Sequence, residues 1–192
     1  MLAFIVRVAA LYALFALPWS VLEPGYIRLF CRVGDALFGS FNAYATADFH
    51  PRERATLDAD TVITVETVHP RTARDVEFSA RLTGYLPFAQ LAAMILATPV
   101  AWRRRWIALG LGTLFLHALI ALRLWCLIYI GFGTLMPQAV TIGPFLQDVL
   151  SIVASPTPAF LIPPLIWLIL LFRWDWVQLL MPVPVATATR PS

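Results

Sequence analysis

Apolar residues in this chain gather into four runs, at 2–22, 85–102, 106–132 and 160–174. At about 1.5 Å per residue, each run is long enough to cross or nearly cross a hydrocarbon layer of about 30 Å. The pattern predicts four transmembrane helices. Arg7 lies close enough to the start of the first run to reach the interface, and Pro18 and Trp19 mark its far end. No A-x-A-like site follows that run, so it reads as an uncleaved anchor. Pro87 and the pair Pro163 and Pro164 fall in first helical turns, where a missing N–H costs little.

Between the first two runs the periodicity changes twice. Over residues 26–44, Ile27, Phe30, Cys31, Leu37, Phe38 and Phe41 recur at helical spacing, with Arg28, Arg32 and Asp35 on other faces. This predicts an amphipathic helix at a membrane–water boundary or packed against the spans. Residues 61–68 are β-branched except for Glu66. Val76, Phe78, Ala80 and Leu82 then alternate with Asp75, Glu77, Ser79 and Arg81. The period of two predicts a β-hairpin with its turn at residues 69–74. Two strands alone are marginal, which hints at a partner. Farther on, Phe145, Val149, Ile152 and Val153 form one apolar face over residues 144–154, with Gln147 and Asp148 as polar members. A second interfacial or re-entrant helix is expected there.

Composition agrees with a membrane protein: 60% of residues are hydrophobic and 13% charged. The expected fold is a mainly α, polytopic membrane protein with a small extracytoplasmic helix and hairpin. Arg103, Arg104 and Arg105 form the short turn between the second and third runs. Such a turn belongs in the cytoplasm, which puts both termini there. The chain then divides into a first span (1–22), an extracytoplasmic segment (23–84), a three-helix core (85–174) and a cytoplasmic tail (175–192). Within the core, residues 134–159 form an outer helical loop. The net charge of +3 is small and scattered, so nucleic acid is not an expected partner, whereas membrane lipids are.

Arg123 is the only formal charge between positions 106 and 136. A charge in hydrocarbon costs several kcal/mol unless it is paired, hydrated or near an interface. About 25 Å separate it from Trp106 along a helix, which moves it to the outer third of the bilayer. Two roles stay open: snorkelling or pairing near Trp125 and Tyr129, or a functional role. Cys31 and Cys126 are the only thiols. On one helix Arg123 and Cys126 are about 60° apart and His117 about 180° from Cys126, so His117 cannot serve as that thiol's base from its own helix. Cys126 reads as a small buried hydrophobe and His117 as a polar contact between helices. Asp48, His50 and Glu53 lack a recognised ligand spacing and read as a solvated loop. No metal or cofactor is expected.

Residues 83–174 resemble the core of the exosortase/archaeosortase family of membrane transpeptidases. The resemblance is carried by Thr83-Gly84-Tyr85-Leu86-Pro87 opening a span, the arginine turn, Arg123 on the next span, and Leu146-Gln147-Asp148 before a final span. In that family a catalytic Cys opens the first of these spans, an essential Arg lies on the next, and a downstream His follows. Here no Cys stands near Thr83, Gln147 stands where His is expected, and Ile120 replaces a frequent Asn. The resemblance therefore implies a non-catalytic relative or one of the small exosortase-associated membrane proteins. It would act at the outer face of a bacterial inner membrane, with an exosortase-type enzyme or its sorted substrate as partner. Two alternatives remain: a divergent cysteine transpeptidase using Cys126 or Cys31 with Arg123, and a scaffold of an unrelated envelope complex.

Overall fold

The computed structural model describes residues 2–53, 56, 59–69, 71–137, 143–155 and 157–172. The expected cytoplasmic tail (175–192) lies outside the described residues, as do Arg173 and Trp174 at the end of the expected core, Pro70 of the expected turn and residues 138–142.

The chain is mainly helical with a small antiparallel sheet. Helices α1 (Leu2–Ala16) and α2 (Trp19–Phe38) meet at a 67° bend. The expected first span of residues 1–22 is therefore broken, and the amphipathic helix starts at Trp19 rather than at Tyr26. Pro18 is the cause. It has no N–H to continue the α1 ladder, while its carbonyl accepts from Val21 and Leu22 to open α2.

Three strands follow: β1 (Ala45–Pro51), β2 (Thr61–Thr67) and β3 (Thr72–Phe78), in the order β1-β2-β3. The hairpin expected from sequence is thus one strand short. Asp48 and His50 lie on β1, not in a loop. In β1, Ala45, Ala47 and Phe49 face inward opposite Thr67, Val65 and Ile63, while Thr46, Asp48 and His50 face outward. The last strand also ends earlier than its alternation suggests, at Phe78. Ala80 and Leu82 belong instead to a helical segment, a π turn (Arg81–Tyr85) leading into α3 (Leu86–Ala97).

A tight turn leads to α4 (Trp102–Leu135), then α5 (Pro144–Ala154) and α6 (Thr157–Trp167), which continues as a π segment to Phe172. Among the described residues only α4 is by itself long and apolar enough to cross a membrane. The bent pair α1 and α2 qualifies only when taken together. Of the four expected spans, then, one meets the length test alone, and α1, α3 and α6 are shorter rods beside it.

These rods alternate in direction. Phe4 at the start of α1 stacks on Trp167 near the end of α6, with ring centroids 5.7 Å apart. The Trp167 indole N–H donates to Thr98 at the end of α3 over 2.9 Å. At the opposite end, the Tyr85 hydroxyl donates to the Phe15 carbonyl. Gly112 sits where α3, α4 and α6 converge: a Cβ there would meet Leu91 at 3.2 Å and Leu170 at 3.4 Å.

Two cores result. The lower joins Leu91, Ile95, Ala108, Leu116, Ile166 and Leu171 of the rods. The upper joins α2, the inner sheet face and the last turns of α4, with Ile63, Val65 and Ile128 inaccessible. Gly34 lets α2 approach β1, since a Cβ there would fall 2.6 Å from the Phe49 ring. Because α4 has 34 residues, it is roughly 51 Å long. Its last turns are the part buried against the sheet.

Candidate functional site

Arg123 turns into the bundle. It is 9% exposed, whereas Trp125, on the other side of α4, is 41% exposed and stacked on Tyr129. With Thr83 and Ile120 it lines a groove of about 240 Å³ whose remaining walls are apolar: Leu116, Leu119 and Leu122 of α4, Ile152 and Val153 of α5, Ala159 and Ile162 of α6. The arginine is thus inside, beside the opening of the second rod, and not on the side of Trp125 and Tyr129.

The other singled-out residues are elsewhere. Gln147 and Asp148 are exposed on α5, which presents Ile152 and Val153 to the groove in their place. The structure therefore brings Thr83 and Arg123 together and leaves the 147–148 pair outside. His117 is exposed on another face of α4. Its Nδ1 lies 2.7 Å from the Thr113 carbonyl, so Nδ1 carries the hydrogen and the bond stays within the helix. Its ring also meets Phe88 edge-on at 6.5 Å. It borders a second groove of about 200 Å³ between α2 and α4, with Leu29, Val33 and Leu37 on the opposite wall. His50 and Asp48 approach to 3.8 Å on the outer sheet face. Among the described residues, no group of three metal-ligating side chains comes together.

Both thiols are free and buried, and neither lines the Arg123 groove. Cys31 is packed under the sheet in the upper core. Burial, followed by the negative charges of Asp35, Asp60 and Asp48, pushes its pKa up to about 11. The thiol is neutral at pH 7, a poor state for a nucleophile. The folded value lies above the ordinary 9.0, so the stability gained by keeping the thiol neutral is complete below pH 9 and lost as pH rises toward 11. In iodoacetamide labelling of the folded chain, the Cys31 adduct should be minor at pH 7–8 and should rise only above about pH 10. Fast labelling at pH 7 would contradict this environment.

Two residues that sequence reasoning passed over position the site. Asp60, 3% exposed, accepts from Thr61 Oγ1 (2.7 Å), Ser79 Oγ (2.8 Å) and the backbone N–H groups of Ala80 (2.7 Å) and Arg81 (3.2 Å). Ser79 Oγ in turn accepts from the Leu82 N–H at 3.2 Å. A carboxylate beside β2 thus caps the helical segment that carries Thr83. The Ser79 cap was a readable start signal, but the partnership with Asp60 spans nineteen residues and was not. Arg81 lies over the Trp19 ring at 5.6 Å, tying the start of α2 to the same junction.

Chemically, the groove offers one fixed cation, one hydroxyl-bearing side chain and an apolar trough. Among the described residues that line it there is no Cys, His, Asp or Glu. No family model, curated protein or solved structure matches this chain.

Proposed function

We propose that this chain is a non-catalytic accessory protein of an exosortase-type sorting system, embedded in a bacterial inner membrane. The observation that carries the reading is Arg123 turned inward beside Thr83, in a groove with no Cys, His, Asp or Glu among the described residues that line it. This matches the resemblance on two points: the arginine is present, and the position that would hold a nucleophile is occupied by Thr83.

In this reading α1, α3, α4 and α6 with its π extension all cross the membrane, in alternating directions. The alternation of the rods supports it, as do the lipid-type side chains on their outer surfaces, among them Leu2, Leu114 and Leu161 at 77%, 67% and 63% exposure. The arginine turn lies in the cytoplasm, with Trp102 and Trp106 exposed beside it. Both termini are then cytoplasmic, and α2, the sheet and α5 are on the outer side. The shorter rods match the bilayer through tilt of neighbours or local thinning, at a modest cost.

The alternatives lose support. A cysteine transpeptidase would need a thiol opening into the groove; Cys126 is one helical turn from Arg123, but both thiols are buried and neither is among the described residues that line it. The scaffold reading drew on a two-stranded sheet, and the structure adds a third strand with α2 and α4 packed behind it.

Mild-detergent purification of the full chain from its own host should recover a membrane transpeptidase or its sorted substrate. A monodisperse chain without a partner, together with normal sorting in a deletion strain, would refute the proposal.

A further inference from the structure

We infer that the groove headed by Arg123 is a binding site for an anionic phospholipid of the outer leaflet. The inference rests on the membrane-embedded reading above. It adds a ligand to the same site.

The Arg123 groove does not stop below Ile120. A second trough of about 240 Å³, walled by Phe115, Leu165, Ile166 and Ile169, shares Leu119 and Ile162 with it. Through these shared residues the two adjoin as one line of troughs, a channel, along α4 and α6. It runs from Arg123 toward the bilayer centre, since α4 descends from Arg123 to Phe115 while α6 descends from Ala159 to Ile169. Along α6 this is roughly 15 Å.

Three features select the occupant. The first is depth. Arg123 stands twenty-one residues, or roughly 31 Å, along α4 from Trp102 at the arginine turn. That equals the hydrocarbon thickness of about 30 Å and places the guanidinium at the level of outer-leaflet phosphates. The second is charge. Among the described residues that line it, the only charged one is this arginine, whose planar donors suit a phosphate. The third is calibre. A helix about 10–12 Å across is too wide to sit within troughs of this volume over that length, whereas a single acyl chain lies along them. The phosphate therefore meets Arg123 beside Thr83. One acyl chain descends past Leu119 and Ile162, and the other stays in the bilayer.

The test uses the detergent-purified full chain, freed of lipid and titrated with palmitoyl-oleoyl phosphatidylglycerol, with phosphatidylcholine of the same chains, and with inorganic phosphate. Bound lipid is read by native mass spectrometry. One phosphatidylglycerol should bind per chain, in preference to phosphatidylcholine, and equimolar phosphate should not displace it. Arg123→Gln should weaken binding about tenfold and remove the preference, while Arg123→Lys keeps much of it. Leu119→Trp, which fills the channel from an exposed position and leaves the arginine in place, should abolish binding with an unchanged melting temperature; it carries the test if Arg123→Gln does not fold. Equal binding of the two lipids, displacement by phosphate, or unchanged binding in Leu119→Trp overturns the inference. So does a Leu119→Trp chain that keeps its lipid and loses its protein partner, which would assign the groove to a partner helix. Failure here with a sorting partner still recovered removes the lipid site alone; normal sorting without the chain removes the accessory reading alone.

Discussion

Replacing Asp60 by alanine should destabilise the sheet and its junction with α3 by about 3–5 kcal/mol, the largest effect expected of any single polar side chain here. The substitution strands donors on Thr61, Ser79, Ala80 and Arg81 in a site that is almost closed to water. Each buried donor left without an acceptor costs about 1–3 kcal/mol, and the sum falls short of additive because Arg81 can relax toward solvent. The effect also reaches the groove. The capped segment carries Thr83, so its loss lets the opening of the second rod fray beside Arg123. Asp60→Asn keeps one acceptor oxygen and should cost about half as much. Urea unfolding in detergent micelles, followed by tryptophan fluorescence, reads both. A cost below 1 kcal/mol for the alanine variant would mean that the carboxylate does not join sheet to helix.

A comparable loss is expected from Ile128→Asp, for a different reason. Ile128 is inaccessible and lies within the upper core, near the point where α4 passes the sheet. A Cβ on Gly131, three residues on, would already meet Val65 at 3.3 Å and Val76 at 3.4 Å, so there is no room for water around a new charge. An uncompensated buried carboxylate costs roughly 3–5 kcal/mol or drives the surrounding structure apart. The sheet should detach from α4 while the rods remain in the micelle. Limited proteolysis would then cut between residues 39 and 79 and spare α4. Ile128→Leu should leave the digestion pattern unchanged. A protected sheet in the aspartate variant would mean that the end of α4 lies in lipid rather than under the sheet.

Much of the architecture was legible because it rests on periodicity. The apolar runs become the rods, the helical spacing around Ile27 and Cys31 becomes α2, and the β-branched stretch around Ile63 becomes β2. What escaped has identifiable physical causes. Strand β1 alternates correctly, but its inward residues Ala45 and Ala47 are small and Pro51 closes it, so its pattern carried little hydrophobic contrast. The break at Pro18 was hidden because hydropathy does not register a lost N–H. The alternation through Ala80 and Leu82 was real, yet a carboxylate contributed from nineteen residues upstream overrode it. The direction of Arg123 was illegible for another reason. Helix α4 is apolar on nearly every face, so no moment identifies which side meets the bundle. Only the packing of α5 and α6 against it does. The same packing puts Gln147 and Asp148 outside, although their place in the chain suggested a share in the site.

Complementation of a deletion strain tests the central claim most directly. A chain in which Cys31→Ser and Cys126→Ala are combined should restore sorting to the wild-type level, because neither thiol takes part. Arg123→Gln, expressed at an equal level in the membrane, should restore less than about a tenth of it, in line with the loss of one charged contact. Failure of the cysteine-free chain with full activity of the Arg123→Gln chain would contradict the account and return the protein to the enzymes.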